Sequence, residues 1–200
     1  MALSVDQAAA WMAKAAQLIE ADADRLTDLD RQIGDADHGL NVRRGFREVA
    51  TLDAADYPDA AAYLKKVGMT LVSKVGGASG PLYGTFFLRF AQALTGEGAG
   101  VVEALGAGIG GIQARGKAEA GEKTMLEALL PAYEAAQAHA GERMWDAVVA
   151  AAERGAEASV DMVATKGRAS YLGERSRGTM DPGAASAVLI LRAAREAMGA

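Results

Sequence analysis

From Ala8 onward, apolar residues recur at three- and four-residue spacing. Ala8, Trp11, Met12, Ala15, Leu18 and Ile19 share one face of a helix that Ser4 and Gln7 open as a capping box. The same period returns along the whole chain. Alanine supplies much of the apolar half, aromatic residues are 6% and β-branched runs are sparse, so the sequence favours helices over strands. Eight helices are expected. The first runs to about Asp30, and the others cover roughly 38–52, 58–74, 80–96, 99–115, 123–140, 143–165 and 182–198. Asp181 as N-cap with Pro182 at the first helical position opens the last one, and Ser79 with Pro81 opens the fourth. The Gly-rich fifth segment, "GAGVVEALGAGIGGIQARG", is either a close-packed helix or partly loop.

Two hundred residues suffice for one domain with a sizeable core, and no linker, repeat or charge block divides residues 1–200. A net charge of −5 gives no general attraction to nucleic acid or an anionic membrane. There is no cysteine, which excludes disulfides, thiolate zinc sites and cysteine nucleophiles in this chain. Asp6 stands where a secretory signal needs basic residues, and the uncharged tracts are too short to span a bilayer. A soluble, cytoplasmic protein is expected.

The connections between helices divide into two kinds. The second, fourth and sixth ("TLDAADYPD", "TGEGAG", "HAGE") are ordinary turns. The odd-numbered ones, "LDRQIGDADHG", "KVGGASGP", "RGKAEAGEKTM" and "KGRASYLGERSRGTMDPG", hold nearly all the chemically unusual residues. In an up-and-down helical array every second connection lies at the same end. These four loops are therefore expected on one rim.

Each loop has a chemistry and a plainer alternative. Asp30, Asp35 and Asp37 form an oxygen-only ligand set suited to a hard cation such as Mg²⁺. The spacing fails as a calcium loop, because Gly39, Leu40 and Phe46 stand where an acid, a glycine and a glutamate would be needed. Alternatively Asp37 merely caps the second helix while the other two are solvated. "GGASG" leads into a helix start, where unpaired N–H groups favour phosphate, or is only a tight turn. Lys166, Arg168, Arg175 and Arg177 clamp phosphates, dock an acidic partner surface or form a solvated basic loop, and a loop this long is usually functional. His38 either contacts a nucleotide or is structural, and Met125 is either core or a base-contacting residue. No covalent nucleophile is evident.

Taken together, these motifs resemble the L subunits, the nucleotide-binding subunits, of dihydroxyacetone kinases. The likeness is carried by "LDRQIGDADHGLNVRRGF", "VGGASGPLYGTFF", "RGKAEAGEKTM" and "GRASYLGERSRGTMDPGAAS", in the family's order over almost the whole chain. It implies an all-α barrel of eight antiparallel helices with the nucleotide at one end. By position, Asp30, Asp35 and Asp37 would hold two Mg²⁺ ions on the diphosphate of ADP or ATP. The nucleotide would be contacted by His38, Gly39, Leu40, Asn41, Ser79, Gly80, Gly116, Met125, Arg168, Asp181, Pro182 and Gly183, and Arg168 would also steady the phosphates during transfer.

The resemblance also implies a partner, the K subunit, which holds dihydroxyacetone and receives the phosphoryl group. Two modes exist. In one, ADP stays bound and is rephosphorylated by an M subunit of the phosphoenolpyruvate phosphotransferase system; in the other, ATP is consumed, with a triose or tetrose as substrate. A non-enzymatic alternative is a nucleotide-state sensor that engages a transcriptional regulator.

Overall fold

Apolar periodicity becomes eight packed helices. The computed structural model describes residues 2–96, 100–139, 141 and 143–199. Among these are α1 (Val5–Ile33), α2 (His38–Val49), α3 (Ala60–Lys74), α4 (Ser79–Ala93), α5 (Val101–Gly116), α6 (Leu126–Ala138), α7 (Met144–Ala158) and α8 (Pro182–Met198), with no strand. Parts of the fourth and sixth connections, the expected start of the fifth helix at 99 and the two chain ends lie outside the described residues. Each helix packs against its sequence neighbour and α8 returns to α1, which closes an all-α ring around one apolar core.

Trp11 marks the centre of that core. Its ring lies 5.4 Å from those of Phe87 and Phe90 of α4, and its indole N–H donates to the Ile190 carbonyl of α8 at 2.8 Å. One side chain thus joins three helices, burying a large aromatic with its polar atom satisfied.

Helix ends follow local chemistry. The Ser4–Gln7 capping box forms with both bonds at 3.1 Å, and the Asp181 carboxylate accepts from the Ala184 N–H at 2.7 Å with Pro182 in the first turn. The Gly-rich fifth segment is helical from Val101 to Gly116: Gly108 and Gly111 face Phe86 and Arg89 of α4 so closely that a Cβ would crowd both. Close packing offsets the weak helix propensity of glycine.

Helices α2 and α4 end three residues earlier than expected and α6 starts three later, and three further expectations that bear on the site need correction. Helix α1 runs three residues past Asp30, which places that carboxylate inside its last turn. Helix α7 stops at Ala158 rather than 165, where the Ser159 hydroxyl donates to the Ala156 carbonyl at 2.6 Å and a 3-10 turn, Ser159–Asp161, redirects the chain. Ser79 does not cap α4: Ala78 holds the N-cap position without a side-chain cap bond, and the Ser79 hydroxyl meets His38 instead.

Helix α2 crosses α1 at near backbone contact. A Cβ on Gly39 would overlap the Ala23 carbonyl and Thr27 of α1. Gly39→Ala is therefore expected to lower stability by about 1–3 kcal/mol, the usual range for overpacking, read as a lower midpoint in urea unfolding. An unchanged midpoint would mean that α2 can shift outward without cost.

Candidate functional site

The four odd-numbered loops do meet, around a cleft of about 410 Å³ at one end of the ring. Its lining draws on the end of α1 and on the starts of α2, α4 and α8, with Thr124 and Met125 just before α6. Helix N-termini carry partial positive charge and unpaired N–H groups, so this rim suits anions and steadies the acids placed there.

Asp30, Asp35 and Asp37 come together here. One ligand oxygen of each lies within 4.8 Å of the others, and among the described residues this is the one group of three or more acids or imidazoles so arranged. Local backbone explains the convergence. A Cβ on Gly34 would collide with the Asp30 carboxylate, so glycine is needed where the chain leaves α1. Ala36 then adopts a left-handed conformation, φ 62°, between the two remaining acids.

Asp30 is buried and works as the cap of a neighbouring helix. Its Oδ2 accepts the Asp37 N–H at 2.8 Å and the His38 N–H at 3.0 Å. Asp37, at the N-cap position of α2, makes no side-chain cap bond, so the plain capping alternative does not describe it. Asp35 is exposed and meets the Arg168 guanidinium at 3.0 Å. Three clustered carboxylates, two of them not tied to backbone amides, are a donor set that fits a divalent hard cation.

Across the cleft, the Gly76–Gly77 turn leads into the uncapped start of α4, with Gly77 at φ 64°. His38 joins this side to α8. Its Nδ1 lies 3.0 Å from Ser79 Oγ and its Nε2 lies 2.9 Å from Ser186 Oγ. Burial pushes the imidazole pKa down, against the pull of Asp30, Asp37 and a hydrogen bond to the Pro182 backbone.

The remaining expected residues divide into two groups. Met125, Arg168, Asp181, Pro182 and Gly183 line the cleft, and Gly116 lines an adjoining recess of about 420 Å³ that also contains Met125, Pro81, Leu82 and Ile112. Gly39, Leu40, Asn41 and Gly80 are not part of the lining. Gly39 and Gly80 sit behind it in close backbone packing, Leu40 is exposed, and the buried Asn41 accepts from Arg44 at 2.9 Å beneath Gly76. Of the four basic residues of the long loop, Lys166 and Arg168 face the cleft, while Arg177 turns away to Glu174 and the Asp161 carbonyl.

Two residues that sequence reasoning missed organise the long loop. Lys123, 1% exposed and at φ 61°, donates from Nζ to the Met162 carbonyl at 3.1 Å and the Ser176 carbonyl at 2.6 Å. Burial pushes its amine pKa down, partly offset by Asp181. Glu127 accepts the backbone N–H groups of Gly121 and Lys123, holding the preceding loop in the shape that buries the lysine. A glutamate four residues after a lysine at a helix start was the only local signal, and it resembles an ordinary surface pair.

Asp181 carries a pH-dependent stability. Its residue keeps some exposure, but burial pushes the carboxyl up to about 7 from 3.8, with Glu127 and Asp30 adding to the rise and the Ala184 N–H and Lys123 opposing it. The native state therefore holds this proton between those pH values and the unfolded state does not, so stability falls as pH rises from about 4 to 7. Asp181→Asn retains a good N-cap and removes the titration. The variant is expected to gain, relative to the parent, on the order of 3–4 kcal/mol between pH 4 and pH 8 in urea unfolding. A parallel pH dependence in the two proteins would contradict this assignment.

The sequence matches the DAK2 domain over residues 32–196. The chain belongs to the DAK2 domain family. This DAK2 chain is 43% identical over 202 residues to the PEP-dependent dihydroxyacetone kinase, ADP-binding subunit DhaL, of Escherichia coli, with 96% of each chain covered. It is 44% identical over 197 residues to the corresponding subunit of kinase 1 of Listeria innocua, again with 96% of each covered. Among solved structures, the dihydroxyacetone kinase of C. freundii in complex with AMP-PNP and Mg²⁺ superposes with a TM-score of 0.77 at 30% identity. That match covers 94% of the DAK2 chain and 33% of the larger protein. Among the described residues no helix is long and apolar enough to cross a membrane.

Proposed function

We propose that this chain is the nucleotide-binding subunit of a dihydroxyacetone kinase: it holds ADP with two Mg²⁺ ions, receives a phosphoryl group from a phosphotransferase-system M subunit and passes it to dihydroxyacetone on a K subunit. The observation that carries the reading is one cleft in which three clustered carboxylates face an uncapped, Gly-rich helix start. Acids alone repel a polyphosphate. Acids opposite a phosphate-suited helix start fit a metal–nucleotide pair.

The division of labour follows from position. Asp30, Asp35 and Asp37 hold the cations, the Gly76–Ser79 turn meets the phosphates, and the apolar recess beside Met125, Leu82 and Ile112 takes the adenine. Bound Mg²⁺ supplies neutralisation of charge on the transferring group. Arg168, on the loop opposite, contributes a guanidinium to the same phosphates, and the attacking hydroxyl belongs to the partner's substrate. Residues 1–200 act as one domain in this assembly.

Support for ADP as a retained cofactor comes from the free-standing relatives, matched nearly end to end and named as ADP-binding subunits of PEP-dependent kinases. The AMP-PNP complex of the larger C. freundii protein favours, as a second reading, direct use of ATP. Reconstitution with the K subunit separates them. Dihydroxyacetone phosphate is expected when the M subunit is charged from phosphoenolpyruvate and not when ATP is the sole donor; turnover with ATP alone would establish the second reading.

A further inference from the structure

Behind the start of α4, four polar side chains form one continuous line. Tyr83 Oη lies 2.6 Å from Ser186 Oγ, Ser186 Oγ lies 2.9 Å from His38 Nε2, and His38 Nδ1 lies 3.0 Å from Ser79 Oγ. The Gly183 carbonyl, 3.0 Å from Ser186 Oγ and 3.3 Å from Tyr83 Oη, is an acceptor at the buried end. His38 and, at the other end, Ser79 line the cleft, while Tyr83 and Ser186 lie behind it. Each hydroxyl has one proton to give and an imidazole that carries a single proton has one, so the direction of donation decides what Ser79 presents to a ligand.

Two arrangements satisfy the line. With the proton on Nε2, His38 donates to Ser186, Ser186 donates to Gly183, and Ser79 must donate to Nδ1. Ser79 then offers only lone pairs to the cleft. With the proton on Nδ1, Tyr83 donates to Ser186, Ser186 donates to Nε2, His38 donates to Ser79, and the Ser79 hydrogen points into the cleft. Gly183 stands in the first turn of α8, so its carbonyl keeps a helical partner either way. An anionic oxygen at this helix start repels the first arrangement and accepts a charge-assisted bond from the second. Donors aligned in one direction also strengthen one another.

We infer that Tyr83, Ser186 and His38 form a positioning relay that keeps the His38 proton on Nδ1 and so makes Ser79 a hydrogen-bond donor to a phosphate oxygen of the bound nucleotide. The inference rests on the nucleotide-binding reading above. Tyr83 and Ser186 touch no ligand in this scheme; they act through His38.

The chain has two histidines, so ¹⁵N-histidine labelling in a His139→Gln background leaves His38 as the single signal. In the Mg-ADP complex the relay predicts a protonated Nδ1 and a bare Nε2. Calorimetry on the same protein reads affinity. Ser79→Ala is expected to weaken Mg-ADP binding roughly ten-fold, and Tyr83→Phe roughly three-fold, with helicity by circular dichroism unchanged. In a Ser79→Ala background, Tyr83→Phe should cause no further loss, because its effect passes through that hydroxyl. A proton on Nε2 in the complex, or the same Tyr83→Phe loss in both backgrounds, would overturn the relay while leaving nucleotide binding in place. Failure of the parent protein to bind Mg-ADP at all would overturn both.

Discussion

Asp35→Asn and Asp30→Ala are both expected to lose Mg-ADP binding, by at least ~100-fold, but only the second should also weaken the fold. Asp35 is exposed and its one charged partner is Arg168 across the cleft, so removing its charge leaves little in the native state unpaired. Asp30 is buried and accepts two backbone N–H groups at the start of α2. Removing it strands both donors, at a cost of about 1–3 kcal/mol, and loosens the turn on which Asp35 and Asp37 sit. Calorimetry gives the affinities and urea unfolding the stabilities. Equal stability loss in the two variants would mean that the cluster is a folding element rather than a ligand set with one structural member.

Lys123→Met is expected to release the long loop. The substitution keeps the length and apolar stem but removes the donor shared by the Met162 and Ser176 carbonyls. Each stranded buried acceptor costs about 1–3 kcal/mol, so stability should fall by roughly 2–6 kcal/mol. The loop itself gives a more specific readout. It contains Arg168, Arg175 and Arg177, and the Ser176 hydroxyl and the Gly178 N–H fold it back on Ala164 and Val160. Trypsin should cut there first in the variant and slowly in the parent. Cleavage elsewhere at similar rates would show that Lys123 stabilises the fold at large without governing this segment.

Periodicity and loop order carried a good part of this account. Helix number followed from the three- and four-residue spacing, because each helix buries one continuous stripe. The common rim followed from up-and-down connectivity, which brought Asp35, Ser79, Met125 and Arg168 into one cleft without any pairwise signal between them. The end of α7 was less legible, since alanine continues well as helix and the stop is set by Ser159, whose hydroxyl also accepts from the Asp181 N–H twenty-two residues away. Tyr83 and Ser186 were invisible for the same reason. Their contact spans 103 residues, and in one dimension a tyrosine on an apolar face and a serine in an alanine-rich helix carry no mark of each other. His38 showed the limit from the other side: its type left a nucleotide contact and a structural role both open, and the structure gives each ring nitrogen a serine partner while the residue lines the cleft.

The central claim, that the acidic cluster and the α4 start together hold a metal–nucleotide pair, is tested most directly by titrating ADP into the protein with and without Mg²⁺. Tight binding that requires Mg²⁺ and disappears in Asp35→Asn is the predicted result. ADP binding of equal affinity without Mg²⁺, or unchanged in Asp35→Asn, would contradict it.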